Sequence, residues 1–257
     1  MTGASVVLAH ETHGTEHAGV AVLLHSLGLD RRVWDPLIAP LGRHRRLVVV
    51  DLRGHGKSPV NTGASIEDMA DDVATTLALL GHRRVSVIGM SMGGCVAQAL
   101  AVRYPERVDA LGLIDTTAWY GPAAATAWGQ RAERALADGL RSLSEFQLTR
   151  WFSEAFRAAN PAVCAELLEV FASNDLGSYA ASCRAMGAVD LRDGVQRIDV
   201  PTTIVVGELD EATPPAHAED LHSRIHGSTL HVVPGSKHLT PYERPADVAG
   251  CLEPILR

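Results

Sequence analysis

No stretch of the 257 residues approaches the roughly 20 consecutive apolar positions that a membrane-spanning helix needs, and a membrane is not an expected partner. No block of lysine and arginine is present either. The formal net charge is −7 and the pI is near 5.9, so nucleic acid is not an expected partner. Cysteine is scarce: Cys95, Cys164, Cys183 and Cys251 lie far apart and never in C-x-x-C spacing. That argues against a disulfide framework and against a zinc site, and no metal is expected. Four reduced, mostly buried thiols fit a cytoplasmic protein. The opening residues, Met1-Thr2-Gly3-Ala4-Ser5, lack the basic segment and apolar run of a secretory signal. The segment Asp51-Leu52-Arg53-Gly54-His55-Gly56-Lys57-Ser58 is rich in glycine but lacks P-loop spacing. It is expected to be structural, with Arg53 and His55 in buried hydrogen bonds beneath a site.

What is present is an alternation of apolar strands and amphipathic helices. Hydrophobic residues make up 46% of the chain, enough for one large α/β domain or a core with an insertion. Val6–Ala9 and Val20–Leu24 read as a hairpin at a sheet edge, joined by the polar Gly14-Thr15-Glu16-His17. Leu47–Val50, Val85–Ile88, Leu111–Ile114, Thr203–Val206 and Leu230–Val233 read as further strands. Ser65-Ile66-Glu67-Asp68 resembles a capping box opening a helix through Leu80. Gly93–Tyr104, a stretch after Pro215 and Pro245–Leu256 complete a strand–helix rhythm that predicts a mostly parallel sheet covered on both faces.

Residues 119–190 break that rhythm. Helices are expected over Ala123–Leu140, Leu143–Phe156, Pro161–Phe171 and around Ser178–Met186, with no strand among them. One crossover needs far fewer residues, so this block predicts a helical cap inserted into a core of residues 1–118 and 191–257.

The most informative stretch is Gly89-Met90-Ser91-Met92-Gly93. An apolar strand runs into it and a helical run beginning near Cys95 leaves it, the context of a nucleophile elbow. The two glycines suit positions where a Cβ would meet neighbouring backbone. Serine at its ordinary pKa is a poor nucleophile and needs a base. His238, in a loop just past the last strand, is the candidate. A third group must orient the imidazole, and Asp210, after the strand ending near Gly207, fits; Asp115, which also ends a core strand, is the runner-up, and Glu208 and Glu211 compete. The order Ser91, Asp210, His238 is that of an α/β-hydrolase. His217, His222, His226 and His231 read as surface residues. The N–H of Met92, following the nucleophile, and of Leu27, in the loop His25-Ser26-Leu27-Gly28, are the expected oxyanion hole.

With these residues in view, the chain resembles the α/β-hydrolase superfamily and, more narrowly, the 3-oxoadipate enol-lactonases of aromatic catabolism. The resemblance is carried by Leu24–Gly28 with Trp34-Asp35, by DLRGHGKS at Asp51–Ser58, by GMSMGG at Gly89–Gly94, by Tyr104-Pro105-Glu106-Arg107-Val108 and Arg150-Trp151-Phe152. Asp190-Leu191-Arg192-Asp193, GELDEATPP at Gly207–Pro215 and His238-Leu239 extend it over nearly the whole chain. His25 departs from the family, which often carries asparagine there. The resemblance implies an eight-stranded, mostly parallel sheet with helices on both faces, and hydrolysis of a small lactone or ester through an acyl-enzyme. It implies no cofactor. General carboxylesterase activity, carbon–carbon bond hydrolysis and a non-enzymatic ligand-binding role stay open, as does oligomeric state. Trp128, Arg131 and Trp151 are the expected substrate contacts, and Arg134, Arg150 and Arg184 are further candidates to meet a substrate carboxylate.

Overall fold

The computed structural model describes residues 5–14 and 19–257. Seven strands, β1 His10–His13, β2 Val20–Leu24, β3 Arg46–Val50, β4 Val85–Met90, β5 Val108–Ile114, β6 Thr202–Gly207 and β7 Thr229–Val233, form one sheet. Their order is β1-β3-β2-β4-β5-β6-β7. Every pairing is parallel except that of β1 with β3. The central strands β4 and β6 are buried at every residue, which is why they read as unbroken apolar runs rather than as alternations.

The amino-terminal edge differs from expectation. Val6–Ala9 does not form a strand. Its N–H groups go to side chains instead: Val6 to Asp72 Oδ1 at 2.8 Å, Leu8 to Thr76 Oγ1 at 2.9 Å and Ala9 to Ser58 Oγ at 2.9 Å. The strand forms one step later, at His10–His13, and pairs with β3, not with β2 as a hairpin would require. Of the polar connection, Thr15, Glu16 and His17 lie outside the described residues. Seven strands therefore stand among the described residues where eight were expected.

Helices α1 (Asp35–Leu41), α2 (Ile66–Leu79) and α3 (Met92–Arg103) follow β2, β3 and β4. The Ser65 hydroxyl accepts from the Asp68 N–H and the Asp68 carboxylate accepts from the Ser65 N–H, so the capping box is complete. Between β5 and β6 run α4 (Ala124–Asp138), α5 (Ser144–Trp151), α6 (Glu154–Ala159), α7 (Pro161–Ala172), α8 (Leu176–Ala188) and α9 (Arg192–Val195). Trp119 and Asp190 form an isolated antiparallel bridge where this segment leaves and rejoins the sheet, and the Leu191 N–H donates to Ala118 at 2.9 Å. The helix expected over Leu143–Phe156 is broken in two. Phe152 is extended, Ser153 caps α6 by accepting from the Phe156 N–H, and the Ser153 hydroxyl donates to Glu243 at 2.5 Å. A serine that satisfies a new helix start and a distant carboxylate competes with helix continuation.

After β6 comes α10 (Pro215–Arg224), and after β7 come α11 (Thr240–Glu243) and α12 (Pro245–Leu256). The short α11 was not anticipated. It directly follows the loop that carries His238. Helices α1 and α12 pack on each other, as do α2 and α3, and both pairs cover the sheet.

Candidate active site

Parallel strands bring the ends of β4, β5, β6 and β7 to one edge, and the loops that leave them meet there. Ser91 lies between β4 and α3 with φ 53° and ψ −116°. That is a strained conformation for a residue with a side chain, costing on the order of 1–3 kcal/mol. Its surroundings hold it in place. The Ser91 N–H donates to Ile114 at 2.9 Å, and its carbonyl accepts from Thr116 Oγ1 at 2.7 Å and from the Cys95 N–H at 3.1 Å. The flanking glycines permit the turn. A Cβ on Gly89 would sit 2.2 Å from the Gly93 carbonyl oxygen, and one on Gly93 would sit 2.1 Å from that of Leu24.

The expected base and acid converge on this serine. His238 Nε2 lies 2.9 Å from Ser91 Oγ, and His238 Nδ1 lies 2.7 Å from Asp210 Oδ2. Asp210 also accepts from the N–H groups of Ala212 (2.7 Å) and Thr213 (3.0 Å) and from the Thr213 hydroxyl (2.7 Å). Burial alone raises the Asp210 carboxyl, but the His238 charge and these hydrogen bonds outweigh it and hold the group down at about 2. For His238 burial pulls the pKa down, yet the charge and hydrogen bond of Asp210 carry it above its ordinary value. The arrangement can therefore accept a proton from Ser91 and keep the resulting imidazolium paired.

Asp115, the runner-up acid, does not hydrogen-bond the imidazole. Its Oδ1 accepts from the Gly207 N–H at 2.9 Å and its Oδ2 from the Thr240 hydroxyl at 2.6 Å. Burial, then the Asp210 charge, pushes its carboxyl up to about 8.

Met92 is the first residue of α3, so its N–H has no partner within the helix and faces the turn at Ser91. Leu27 and Ser26 line the same cavity as Ser91. The loop that presents Leu27 is tied down by His25, a role that sequence reasoning did not assign. His25 Nε2 accepts from the Leu52 N–H at 2.8 Å, which leaves Nδ1 to donate to the Ser26 carbonyl at 2.8 Å. Burial lowers the His25 pKa and keeps it the neutral ring this pattern requires. Arg53, as expected, is buried against Asp72, at 2.7 Å from Nε to Oδ2. His55 Nδ1 meets the Arg53 carbonyl at 3.1 Å, while its Nε2 has no partner among the described residues.

A cavity of about 600 Å³ opens above Ser91 and His238. Trp128, Arg131 and Trp151 all line it, as do Arg134 and Arg150. Arg184 does not: it pairs on the surface with Glu133 at 2.7 Å. Trp119 lies elsewhere, under the Arg192 guanidinium at 3.8 Å. His217 is not a free surface histidine. It is half-buried in the first turn of α10 with its ring 6.1 Å from that of Tyr120.

The charge in this cavity is one-sided. No aspartate or glutamate lines it, and among the described residues Arg131, Arg134 and Arg150 have no carboxylate partner within 4 Å. Arg131 Nε donates to the Tyr179 hydroxyl at 2.8 Å, and its guanidinium lies 5.0 Å from the Trp128 ring centre. Burial, and then the neighbouring Arg131 charge, lowers the Arg150 pKa. Two lining residues had been missed. Tyr120 sits beside Ser91 with its phenol raised well above the ordinary pKa by burial, and so remains a neutral hydroxyl. Gln147 is buried, with no hydrogen-bond partner for Nε2 among the described residues. Tyr120 follows closely on the end of β5, a position that points to this edge of the sheet; Gln147 gave no signal in sequence. Among the described residues no group of three or more His, Cys, Asp and Glu side chains is arranged to hold a metal ion.

Comparison with known proteins places this geometry in context. A family model described as the alpha/beta hydrolase fold matches residues 20–245. The chain is 31% identical over 240 residues to 3-oxoadipate enol-lactonase 1 of Acinetobacter baylyi, covering 93% of this chain and 88% of that protein. The crystal structure of the enol-lactonase from Burkholderia xenovorans superposes with a TM-score of 0.93 at 32% identity, covering 97% of this chain and 96% of the other. A thermophilic esterase from Thermogutta terrifontis, solved with malate bound, superposes with a TM-score of 0.90 at 33% identity, covering 97% and 93%.

Proposed function

Because the chain belongs to the alpha/beta hydrolase fold family, we propose that it is a serine hydrolase that opens a small lactone or carboxylic ester through an acyl-enzyme. The substrate class we assign is 3-oxoadipate enol-lactone or a closely related compound bearing a carboxylate. The observation that carries this reading is the continuous line from Ser91 Oγ through His238 to Asp210, with contacts of 2.9 and 2.7 Å.

In this reading His238 takes the Ser91 proton as Oγ attacks the carbonyl carbon, and Asp210 stabilises the imidazolium. The N–H groups of Met92 and Leu27 hold the oxyanion; losing one such donor typically costs about 3–4 kcal/mol of barrier. The ring oxygen then leaves and can take the proton from His238. With an enol-lactone the leaving group is an enolate, so acylation is easy and water attack on the acyl-enzyme limits turnover. The same imidazole then deprotonates that water. The scheme uses no metal and no organic cofactor.

Residues 119–190 act as a cap over the cavity, and the Trp119–Asp190 bridge at its base supports this division. Arg131 and Arg150 spend one donor each on neutral groups, the Tyr179 hydroxyl at 2.8 Å and the Glu211 carbonyl at 2.5 Å, and have no carboxylate partner among the described residues; with the unsatisfied Nε2 of Gln147 they favour an anionic substrate. The malate-bound relative is in keeping with this. The four cysteines are free thiols, which suits a reducing cytoplasm. A carboxylesterase is the second reading, favoured by the similarity to the Thermogutta esterase.

The deciding experiment compares kcat/KM on enol-lactones bearing a carboxylate with that on neutral aryl esters, for the parent protein and for Ser91→Ala. Ser91→Ala is expected to lower turnover by about 10⁶-fold with the fold intact. Ordinary activity in that variant overturns the serine mechanism, and a preference for neutral esters selects the second reading.

A further inference from the structure

Ser91 and Asp115 are the two non-glycine residues with positive φ among the described residues, at 53° and 46°. They sit at the ends of paired strands, linked by the Ser91 N–H donating to Ile114 at 2.9 Å. The elbow accounts for Ser91. Nothing in the proposed chemistry accounts for Asp115, and strain of this kind persists only where surrounding structure enforces it.

The surroundings of Asp115 supply the reason. Its N–H donates to Val205 at 2.9 Å, and its side chain is fully buried. Oδ1 accepts from the N–H of Gly207, the last residue of β6, at 2.9 Å. Oδ2 accepts from the hydroxyl of Thr240 at 2.6 Å and, at a longer 3.3 Å, from its N–H. Gly207 leads directly into the loop of Asp210, and Thr240 directly follows the loop of His238. One carboxyl group thus spans the roots of the two loops that carry the acid and the base.

We propose that Asp115 is a positioning residue that sets the separation of Asp210 and His238 by bridging Gly207 to Thr240, and that it does so through hydrogen bonds and not through its charge. This rests on the Ser91–His238–Asp210 reading above. Two backbone bonds already join these loops above the sheet edge, from the Glu208 N–H to Val233 at 3.0 Å and from the Leu209 N–H to Ser236 at 2.9 Å, and the Asp115 bridge adds a tie between their roots from below. A second full negative charge beside Asp210 would be costly in this buried setting; burial and the Asp210 charge push the Asp115 carboxyl up to about 8, and when it holds a proton Oδ2 donates to Thr240 Oγ1 instead of accepting from it, so the bridge is kept without the charge. Asparagine has the same shape and tolerates positive φ. Its Oδ1 can accept from Gly207 and its Nδ2 can donate to Thr240 Oγ1.

The test uses Asp115→Asn, Asp115→Gly and Thr240→Val in the full chain. Two quantities are read: the second-order rate of Ser91 with a neutral aryl phosphonate, and kcat and KM on an aryl ester. Asp115→Gly relieves the backbone strain but removes the bridge; it is expected to slow both phosphonylation and kcat by about 10- to 100-fold, the scale of a small misplacement, with KM little changed. Asp115→Asn is expected to recover to within about threefold of the parent, and Thr240→Val, which removes one of the hydrogen bonds, to lose about fivefold. Phosphonylation of Asp115→Gly at the parent rate, or Asp115→Asn as slow as Asp115→Gly, overturns the inference. A parent protein that does not react with the phosphonate at all overturns the underlying reading instead.

Discussion

His238 meets Asp210 through Nδ1 at 2.7 Å, and this one contact sets both the orientation of the ring and its basicity. The bond leaves Nε2 free to face Ser91, and the carboxylate raises the His238 pKa against the opposing pull of burial. A general base works only when neutral. As pH falls through this raised pKa, kcat/KM should therefore fall, and the acidic limb should lie above the ordinary histidine value of about 6.5. Asp210→Asn removes the charge and favours the wrong tautomer. It is expected to lower kcat by about 10⁴-fold. Because the raising cause is gone and burial remains, the limb should also move to lower pH. A pH–rate profile checks both; an unmoved limb would contradict the assigned partner.

Arg131 and Arg150 predict how substrate is chosen. Two guanidinium groups share a cavity lined by no carboxylate. A charge-assisted hydrogen bond from either to a substrate carboxylate contributes about 1.5–3 kcal/mol. Arg131→Met and Arg150→Met should each raise KM for a carboxylate-bearing lactone by about 10- to 100-fold. KM for a neutral ester of the same size should shift far less. Equal effects on the two substrates would mean that the arginines only shape the cavity.

The main elements were legible in the sequence because local rules and tertiary needs agree there. The buried strands β4 and β6 are continuous apolar runs, and the elbow needs two glycines at fixed spacing around Ser91. His238 and Asp210 could be proposed because each follows a strand whose carboxyl end faces the same edge. What was not legible depends on partners distant in the chain. Val6–Ala9 looks like a strand, but Asp72, Thr76 and Ser58 take its N–H groups. The break at Phe152 depends on Glu243, which lies 90 positions beyond Ser153. The roles of His25 and Asp115 rest on N–H groups of Leu52 and Gly207, contacts with no local signature.

Two glycines separate crowding from freedom. A Cβ at Gly93 would sit 2.1 Å from the Leu24 carbonyl oxygen, so Gly93→Ala must push the elbow away from β2. Overpacking of this kind costs about 1–3 kcal/mol. Thermal unfolding should show a drop of roughly 2–4 °C per kcal/mol at this chain length, together with reduced phosphonylation of Ser91. Gly129, inside α4, has nothing within 4 Å of its virtual Cβ. Gly129→Ala should stabilise by about 0.4–1 kcal/mol through helix propensity and reduced freedom of the unfolded chain. Destabilisation by both substitutions alike would mean that the crowding at Gly93 is not what distinguishes them.

Asp115 should also leave a mark on stability that is separate from its effect on rate. Burial and the Asp210 charge raise its carboxyl in the folded chain from 3.8 to about 8, with His238, Thr240 and Gly207 as its other neighbours, all acting in the opposite direction. Between those two values the folded state holds a proton that the unfolded chain has released. The linkage is then fixed in sign: this group's contribution is fully present below the unfolded pKa and is lost progressively as pH rises towards the folded one. Asp115→Asn cannot ionise and escapes the loss. The difference in Tm between Asp115→Asn and the parent should therefore grow in favour of the variant from pH 5 to pH 8. Asp210, held low, works the other way: its contribution is present above about pH 4 and fades only as pH falls towards 2, so it adds no slope in that window. A Tm difference constant from pH 5 to pH 8 would mean that Asp115 is already ionised in the folded protein, and that two buried negative charges stand near one another beneath the active site.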